Sequence, residues 1–156
     1  LLAARQREGA RLAALLHERI AALRQLAAQA APLIPQLIEA QRQRFLDRWQ
    51  EALGAAAASE AATQQAQERA LAEVTAYAIR IDVAEELGRL GAHLDEIEAV
   101  LKKGGETGKR LDFLIQELHR EANTLGSKSA MLEITRISVD MKVLIEQMRE
   151  QVQNLE

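Results

Sequence analysis

The stretch that decides the fold is residues 134–155, which read ITRISVDMKVLIEQMREQVQNL. Apolar side chains recur in it at alternating steps of three and four, which is the spacing of one helix face and close to a heptad repeat. These side chains are Ile134, Ile137, Met141, Leu144, Met148, Val152 and Leu155. Counted from about residue 128 to the C-terminus, the helix would have roughly 28 residues and span about 40 Å. That length predicts a helical bundle or a coiled-coil seam, and it suggests a partner helix from another subunit.

Two helices and an alanine-rich segment lie at the other end of the chain. The same periodicity predicts a long first helix that ends near Ala30. Pro32 and Pro35 interrupt the pattern, because proline lacks the amide donor and clashes with the preceding turn. A second helix follows to about Leu53, so the pair predicts an antiparallel hairpin or a bent rod. Residues 54–63 have too little apolar bulk to define a helix face, and we expect a linker or a frayed helix there.

The middle of the chain contains two more helices separated by glycine. Periodicity resumes over residues 71–101, and the polar spacing at Asp82 fits a capping box, so either a new helix starts there or one helix kinks. Three glycines within residues 104–108 predict the end of that helix, because glycine readily adopts the left-handed conformation. A shorter helix is expected over about residues 109–124, and residues 123–128 predict a break or a tight turn.

Composition supports a helical chain without disulfides. The 156 residues are 48% hydrophobic and 3% aromatic, with Gly 8, Pro 2 and Cys 0. So few turn residues argue against a many-stranded β fold, and a missing run of about 18 apolar residues argues against a membrane span. The lack of cysteine excludes thiolate catalysis and fits a cytoplasmic protein. We predict an all-α fold, with a long-helix hairpin or arm over residues 1–63 and a helical domain over residues 64–156 that ends in a long coiled-coil-like helix.

The first candidate site is a polar stripe early in the second half of the chain. On one helix Asp82, Glu86, Arg89 and His93 recur at steps of four, three and four, with Glu85 beside them. Carboxylates with an imidazole are suitable ligands for Mg²⁺ or Mn²⁺. The simpler interpretation is that Asp82 caps the helix, Glu85 completes the box, and Glu86 forms a solvated pair with Arg89.

The second candidate site lies on the next helix. Its polar residues are Lys109, Arg110, Asp112, Gln116, Glu117, His119, Arg120, Glu121 and Asn123. Five of them are expected on the face opposite the leucine residues: Asp112, Gln116, His119, Arg120 and Asn123. A short helix that exposes Asp, Gln, His, Arg and Asn together is chemically richer than an ordinary solvated face, and His119 could act as a general acid or base near neutral pH. The alternative is a hydrogen-bond network between helices.

A local basic patch is the remaining candidate for phosphate contacts. The formal net charge of −3 excludes a uniformly basic RNA-coating protein, but the five lysines all follow residue 100. The glycine turn lacks the spacing of a phosphate loop, yet a helix N-terminus after it offers amide donors to an anion. A hinge with solvated lysines explains the same residues. The aromatic residues, Trp49 and Phe113 among them, are too scattered for a base-stacking platform and are expected in the core.

Four motifs in the second half of the chain indicate a family. They are RIDVAEELGRLGAHL at 80–94, GKRLDFLIQEL at 108–118, REANTLGSK at 120–128 and KVLIEQMREQVQNLE at 142–156. In combination they resemble the YicC/YloC family of bacterial endoribonucleases. The likeness is strong over residues 71–156 and loose over residues 1–53.

This resemblance implies a cytoplasmic endoribonuclease that needs Mn²⁺ or Mg²⁺ and assembles as a homo-oligomer, with a hexamer expected. Members of the family carry another, mixed α/β domain before the region seen here, so we expect the chain to be a C-terminal helical part. One departure is His119, which stands where the family usually has Asn. A catalytic role for His119 is therefore not expected, and the weight shifts to the carboxylates.

Taken together, the sequence predicts a metal-dependent endoribonuclease module whose carboxylates hold one or two divalent ions. The expected catalytic residues are Glu85, Glu86, Asp112, Glu117 and Glu121. The expected metal ligands are Asp82, Glu86, His93 and Asp112. The expected RNA-binding residues are Arg89, Lys102, Lys103, Lys109, Arg110, Arg120 and Lys128. The alternative function is a non-catalytic oligomerisation or RNA-adaptor scaffold, which the near-heptad last helix favours.

Overall fold

A computed structural model describes residues 2–56, 60–105, 107–128 and 131–154. Within these ranges every regular element is an α-helix, which confirms the all-α prediction. The helices are α1 (Leu2–Ala30), α2 (Leu33–Ala56), α3 (Glu60–Lys103), α4 (Gly108–Lys128) and α5 (Leu132–Gln153). None of the described helices combines the length and apolar character that crossing a membrane requires.

The two prolines separate α1 from α2 as predicted. Pro32 lies in the short turn between them, and Pro35 falls in the first turn of α2. An amide at that position has no partner within the helix, so proline is tolerated there and helps to set the start of α2. After this turn α2 packs against α3.

The longest helix is α3, with 44 residues, and it continues through Asp82. The prediction that a new helix could start at Asp82 is therefore wrong, and Asp82 is not a helix cap. A capping residue needs a non-helical backbone, whereas the apolar periodicity on both sides of Asp82 keeps the chain helical there. One uninterrupted helix thus brings the polar residues that follow Asp82 to the bundle.

The core is built mainly by α1, α3, α4 and α5, and α2 adds Ile34. Its largest fully buried side chains are Leu16, Ile20, Leu23, Leu90, Leu94, Ile97, Leu111, Leu114, Ile115, Leu118, Leu125 and Ile134. At about 1.5–3 kcal/mol for each large apolar side chain, this burial is the main favourable term in folding. The first helix, α1, supplies three of these side chains. The boundary at residue 63 between an N-terminal arm and a C-terminal domain stays a prediction.

The last helix is shorter than predicted. It has 22 residues, about 33 Å at 1.5 Å per residue, and it ends at Asn154, whose amide donates to Glu150 and Val152 carbonyls. Its buried face packs against α4 and α1 of the same chain. The apolar periodicity of residues 134–152 is therefore satisfied internally and does not by itself require a second subunit.

The α4 helix runs through Gly126 to Lys128, so the break predicted over residues 123–128 begins only after that point. Gly126 serves close packing: a Cβ at this position would lie 2.4 Å from Ser138 Oγ and 2.9 Å from Ser138 Cβ. The Ser138 hydroxyl is buried and donates a hydrogen bond of 2.7 Å to the Ala122 carbonyl. These small residues let α4 and α5 approach closely, which fixes the position of α4.

The turn between α3 and α4 confirms the predicted glycine stop. Gly104 and Gly105 have φ angles of 71° and 89°, a region that favours glycine. The Gly104 amide donates to the Val100 carbonyl and closes the last turn of α3. The turn reverses the chain so that α4 packs back along the second half of α3.

Candidate active site

A polar cleft lies between α3 and α4, with a volume of about 510 Å³. Its lining residues are Glu86, Arg89, His93, Glu117, Arg120, Glu121 and Thr124. On each helix these residues recur at steps of three or four, so each set occupies one face. The antiparallel packing of α3 and α4 turns the two faces toward one another, and both candidate clusters contribute to one site.

Two carboxylates in this cleft are buried. Glu86 is 6% exposed and Glu121 is 4% exposed, which is rare for glutamate unless a partner compensates the charge. Arg89 is that partner: its guanidinium lies 2.5 Å from Glu86 Oε1 and donates from Nε to Glu121 Oε2 at 3.3 Å. Arg89 also reaches Glu85 Oε2 at 3.8 Å, but Glu85 lies on the exposed rim.

The surroundings of Glu121 raise its pKa above the ordinary value of 4.5. Burial is the largest cause, and a side-chain hydrogen bond with Glu86 acts in the same direction, while Arg89 opposes both. The raised pKa follows from placing two carboxyl groups together in a buried setting, where each disfavours the ionised form of the other.

Three side chains in the cleft could hold a divalent cation. His93 Nε2 lies 3.8 Å from Glu121 Oε1, and one ligand atom each from His93, Glu117 and Glu121 lie within 4.8 Å of one another. Two carboxylates and one imidazole suit Mn²⁺, and the carboxylates suit Mg²⁺. The donor set at this site thus fits the cation that the sequence predicts, with Glu117 and Glu121 added to His93 as ligand candidates.

The mouth of the cleft carries a cation that is free to move. Arg120 has a side chain 75% exposed, and it lies 3.8 Å from Glu117. Such an exposed pair contributes little to stability, about 0–1 kcal/mol, so Arg120 can turn toward an anion with little loss. The Thr124 hydroxyl donates a hydrogen bond of 2.8 Å to the Arg120 carbonyl, and Thr124 lines the same part of the cleft.

The structure does not bring every predicted catalytic or metal residue to the cleft. Asp112 accepts a hydrogen bond of 3.1 Å from Gln116 and faces a separate depression beside Lys109 and Val152. The side chains of Asp82 and Lys128 lie outside the described residues. Among the predicted catalytic and metal residues, Glu86, His93, Glu117 and Glu121 share the cleft.

The predicted RNA-binding residues fall into two groups. Arg89 and Arg120 lie at the cleft, whereas four others surround the glycine turn, about 17–20 Å away along the helices. The second group consists of Lys102, Lys103, Lys109 and Arg110. All four are exposed, and Arg110 forms an ion pair with Glu96 on α3.

Sequence reasoning missed two features of this region. Thr124 carries no charge and was not singled out, although its step of three from Glu121 is the signal that could have found it. The expectation that Trp49 and Phe113 lie in the core is wrong, since they are 39% and 50% exposed. His119 faces a different groove with Glu146 and Arg149, apart from the acidic cleft.

Known proteins similar to this chain are endoribonucleases by name. A family model described as endoribonuclease YicC-like, C-terminal, matches residues 30–156. "Probable endoribonuclease YicC" of Haemophilus influenzae is 43% identical over 155 residues, which cover 99% of this chain and 51% of that protein. The protein of the same name from Clostridioides difficile is 42% identical over 84 residues, which cover 54% of this chain and 29% of that protein. The chain thus spans about half the length of the first of these relatives, and it belongs to the YicC-like endoribonuclease family, as the resemblance in its motifs indicates.

Proposed function

We propose that the cleft between α3 and α4 is the cleavage site of an endoribonuclease that breaks RNA phosphodiester bonds with Mn²⁺ or Mg²⁺. The observation that carries this proposal is that the buried Glu121 lies at ligand distances from His93 and Glu117, next to a second buried carboxylate, Glu86. Buried carboxylates reduce stability unless they are compensated, and such groups concentrate at functional sites. Family membership supports RNA as the substrate.

Each side chain has a role set by its position. His93, Glu117 and Glu121 form the ligand set, and Glu86 lies beside them and shares Arg89 with Glu121. Arg89 compensates the negative charge of the buried carboxylates from the α3 side. When bound, a divalent cation would lower the pKa of a water ligand and stabilise charge on the phosphate.

The chain's own residues bind the phosphate and handle the proton. Arg120, exposed at the mouth, is placed to bind a phosphate oxygen by a charge-assisted hydrogen bond. The raised pKa of Glu121 makes this carboxyl a better proton acceptor than an ordinary glutamate. The burial of Glu86 and Glu121 strengthens the interactions of these two carboxylates with their charged neighbours.

We also propose that the whole protein is a homo-oligomer, with a hexamer expected. The scaffold alternative depended on the near-heptad last helix, and that helix is covered by α1 and α4 within the chain. A native mass measurement tests the assembly, and a monomer would contradict it. The cleavage site proposed here uses residues of one chain alone, so it does not depend on that result.

The proposal is tested by incubating the purified protein with single-stranded RNA in Mn²⁺, in Mg²⁺ and in EDTA. We expect cleavage with either cation and none in EDTA. Glu117→Gln should lower the cleavage rate about 10-fold or more, because it removes a ligand. The matched control is Glu146→Gln, since Glu146 forms the same i, i+3 pair with Arg149 that Glu117 forms with Arg120. Cleavage in EDTA that leaves 2′,3′-cyclic phosphate ends would contradict the metal-water mechanism.

A further inference from the structure

Phe113 is exposed on the outer face of α4. Half of its surface, 50%, is in contact with solvent, although the aliphatic residues around it on the helix are buried. The Arg110 guanidinium lies 5.5 Å from the centre of its ring. An aromatic ring flanked by a cation and open to solvent is a surface on which a flat, electron-rich group can stack.

The residues along this face lead from the glycine turn to the acidic cleft. Lys109, Phe113, Gln116 and Arg120 follow one another at steps of four, three and four, so they lie on one face of α4. All four are exposed. From Lys109 to Arg120 the face extends about 17 Å, and Phe113 lies one turn, about 6 Å, from Glu117 at the cleft.

The charges beside this face favour a polyanion. Lys109 and Arg120 stand at its two ends, and Lys102 and Lys103 end α3 next to the same turn. Glu96 pairs with Arg110, Glu117 pairs with Arg120, and Asp112 accepts a hydrogen bond from Gln116. Residues 102–120 hold five Lys or Arg against three Asp or Glu, whereas the whole chain has a net charge of −3, so positive charge is concentrated along this part of the chain.

We propose that Phe113 is a base-stacking residue of the RNA site, and that a single strand lies along α4 from Lys109 to Arg120 before it enters the cleft. This inference rests on the proposed function, because it names how the substrate of that cleft is held. A single strand is required because a paired base does not expose its face. A lone ring between cations is also a poor protein-docking surface, which is usually built around a contiguous apolar core.

Binding of an RNA probe tests the stacking residue. The probe is a fluorescent oligoadenylate, measured in EDTA so that it stays intact, and its integrity is checked on a gel. We expect Phe113→Leu to weaken binding about 5- to 50-fold, since stacking on an aromatic side chain is lost, while Phe113→Tyr stays within about 2-fold of wild type. Val74→Ala is the matched control, because Val74 is 59% exposed and lies 15 residues, about 22 Å along α3, before Arg89 at the cleft.

A second measurement reports stacking directly. Trp49 is the one tryptophan of the chain, so the double substitution Trp49→Phe with Phe113→Trp places the only indole on the strip. We expect the oligoadenylate to quench its fluorescence at the concentration that saturates binding. The control pairs Trp49→Phe with Val74→Trp and should show no quenching.

The outcomes separate this inference from the proposed function. Wild-type protein that binds the probe but never cleaves RNA refutes the cleavage site, whereas a binding loss in Phe113→Leu still supports the stacking residue. Unchanged binding in Phe113→Leu, or an indole that is not quenched, overturns the stacking residue while cleavage stands. A change in native mass with unchanged RNA binding would assign Phe113 to a protein interface and also overturns it. No binding by the wild type overturns both.

Discussion

Substituting Gly126 by alanine tests the close packing of α4 on α5 that holds the cleft in place. The new Cβ would lie 2.4 Å from Ser138 Oγ and 2.9 Å from Ser138 Cβ, distances that real structures do not show. Rotation of the serine side chain relieves the first contact but not the second, because the Ser138 Cβ is fixed to the α5 backbone. One helix must therefore shift.

The size of the effect follows from three contributions. Overpacking of this kind costs about 1–3 kcal/mol. Displacing the Ser138 hydroxyl from the Ala122 carbonyl leaves a buried polar group without its 2.7 Å partner, at a further cost of about 1–3 kcal/mol. Alanine is a better helix former than glycine by about 1 kcal/mol, which offsets part of the loss. We expect Gly126→Ala to lower the free energy of unfolding by about 2–4 kcal/mol.

Urea unfolding followed by helical circular dichroism measures this change. Gly88→Ala is the matched control, because Gly88 also lies inside a helix but has no atom within 4 Å of an added Cβ. It should raise the free energy of unfolding by about 0.5–1 kcal/mol. In a double mutant, Ser138→Gly should restore at least about 1 kcal/mol of the loss caused by Gly126→Ala, because it removes both contacting atoms. If Gly126→Ala is as stable as Gly88→Ala, the close approach of α4 and α5 is refuted.

Three further predictions concern the charged residues. The stability of Glu121→Gln relative to wild type should increase as the pH rises, because a carboxyl with a raised pKa fully stabilises the fold only below its ordinary pKa of 4.5 and loses that contribution as the pH passes the raised pKa. Urea unfolding of both proteins at several pH values checks this, and parallel curves of stability against pH would contradict it. Arg89→Met should destabilise the protein more at pH 8 than at pH 5, because Arg89 favours the ionised form of the buried Glu121 and lowers its pKa. The exposed Arg42→Met is the control and should show no such pH dependence, and equal losses of stability at both pH values in Arg89→Met would refute the role of Arg89. Arg24→Gln removes the surface salt bridges from α1 to Asp95 and Glu98 on α3, at 2.7 and 3.2 Å, and should lower the free energy of unfolding by about 0.2–1 kcal/mol in low salt and by less in high salt. A loss of stability that does not depend on salt would show that Arg24 acts through packing instead.

The helices could be predicted from the sequence because their signals are local. Proline at Pro32 and Pro35 and the left-handed glycines after Lys103 act through backbone geometry that any context would impose. At Gly126 and Asp82 the local signals led to wrong predictions of a break and of a helix start. The preferences of these residues for a turn and a cap are worth only about 1 kcal/mol, and the packing of long helices outweighs them.

The candidate site could be predicted only in part. Glu86, Arg89 and His93 share a face by spacing alone, and so do Glu117 and Glu121. Which two faces meet depends on how α3 and α4 pack, and the apolar pattern does not fix that rotation closely enough. Asp112 was therefore grouped with Glu121, although the two side chains point away from one another on α4.

Exposure of Phe113 could not be predicted from composition. An aromatic residue among leucines is usually buried, and its position at the edge of the apolar face becomes visible only once the neighbouring helices are placed. The same holds for α5, whose near-heptad pattern does not distinguish a partner in another subunit from α1 and α4 of the same chain.

The most direct test of the central claim is the single-turnover rate of RNA cleavage by Glu121→Gln in saturating Mn²⁺. Glutamine keeps the shape and the burial of the side chain but cannot act as an anionic ligand or accept the proton. Our account predicts a fall of about 100-fold or more against wild type, with helix content unchanged. A rate within about 2-fold of wild type, for a variant that is folded and binds RNA, would show that cleavage takes place outside the cleft between α3 and α4.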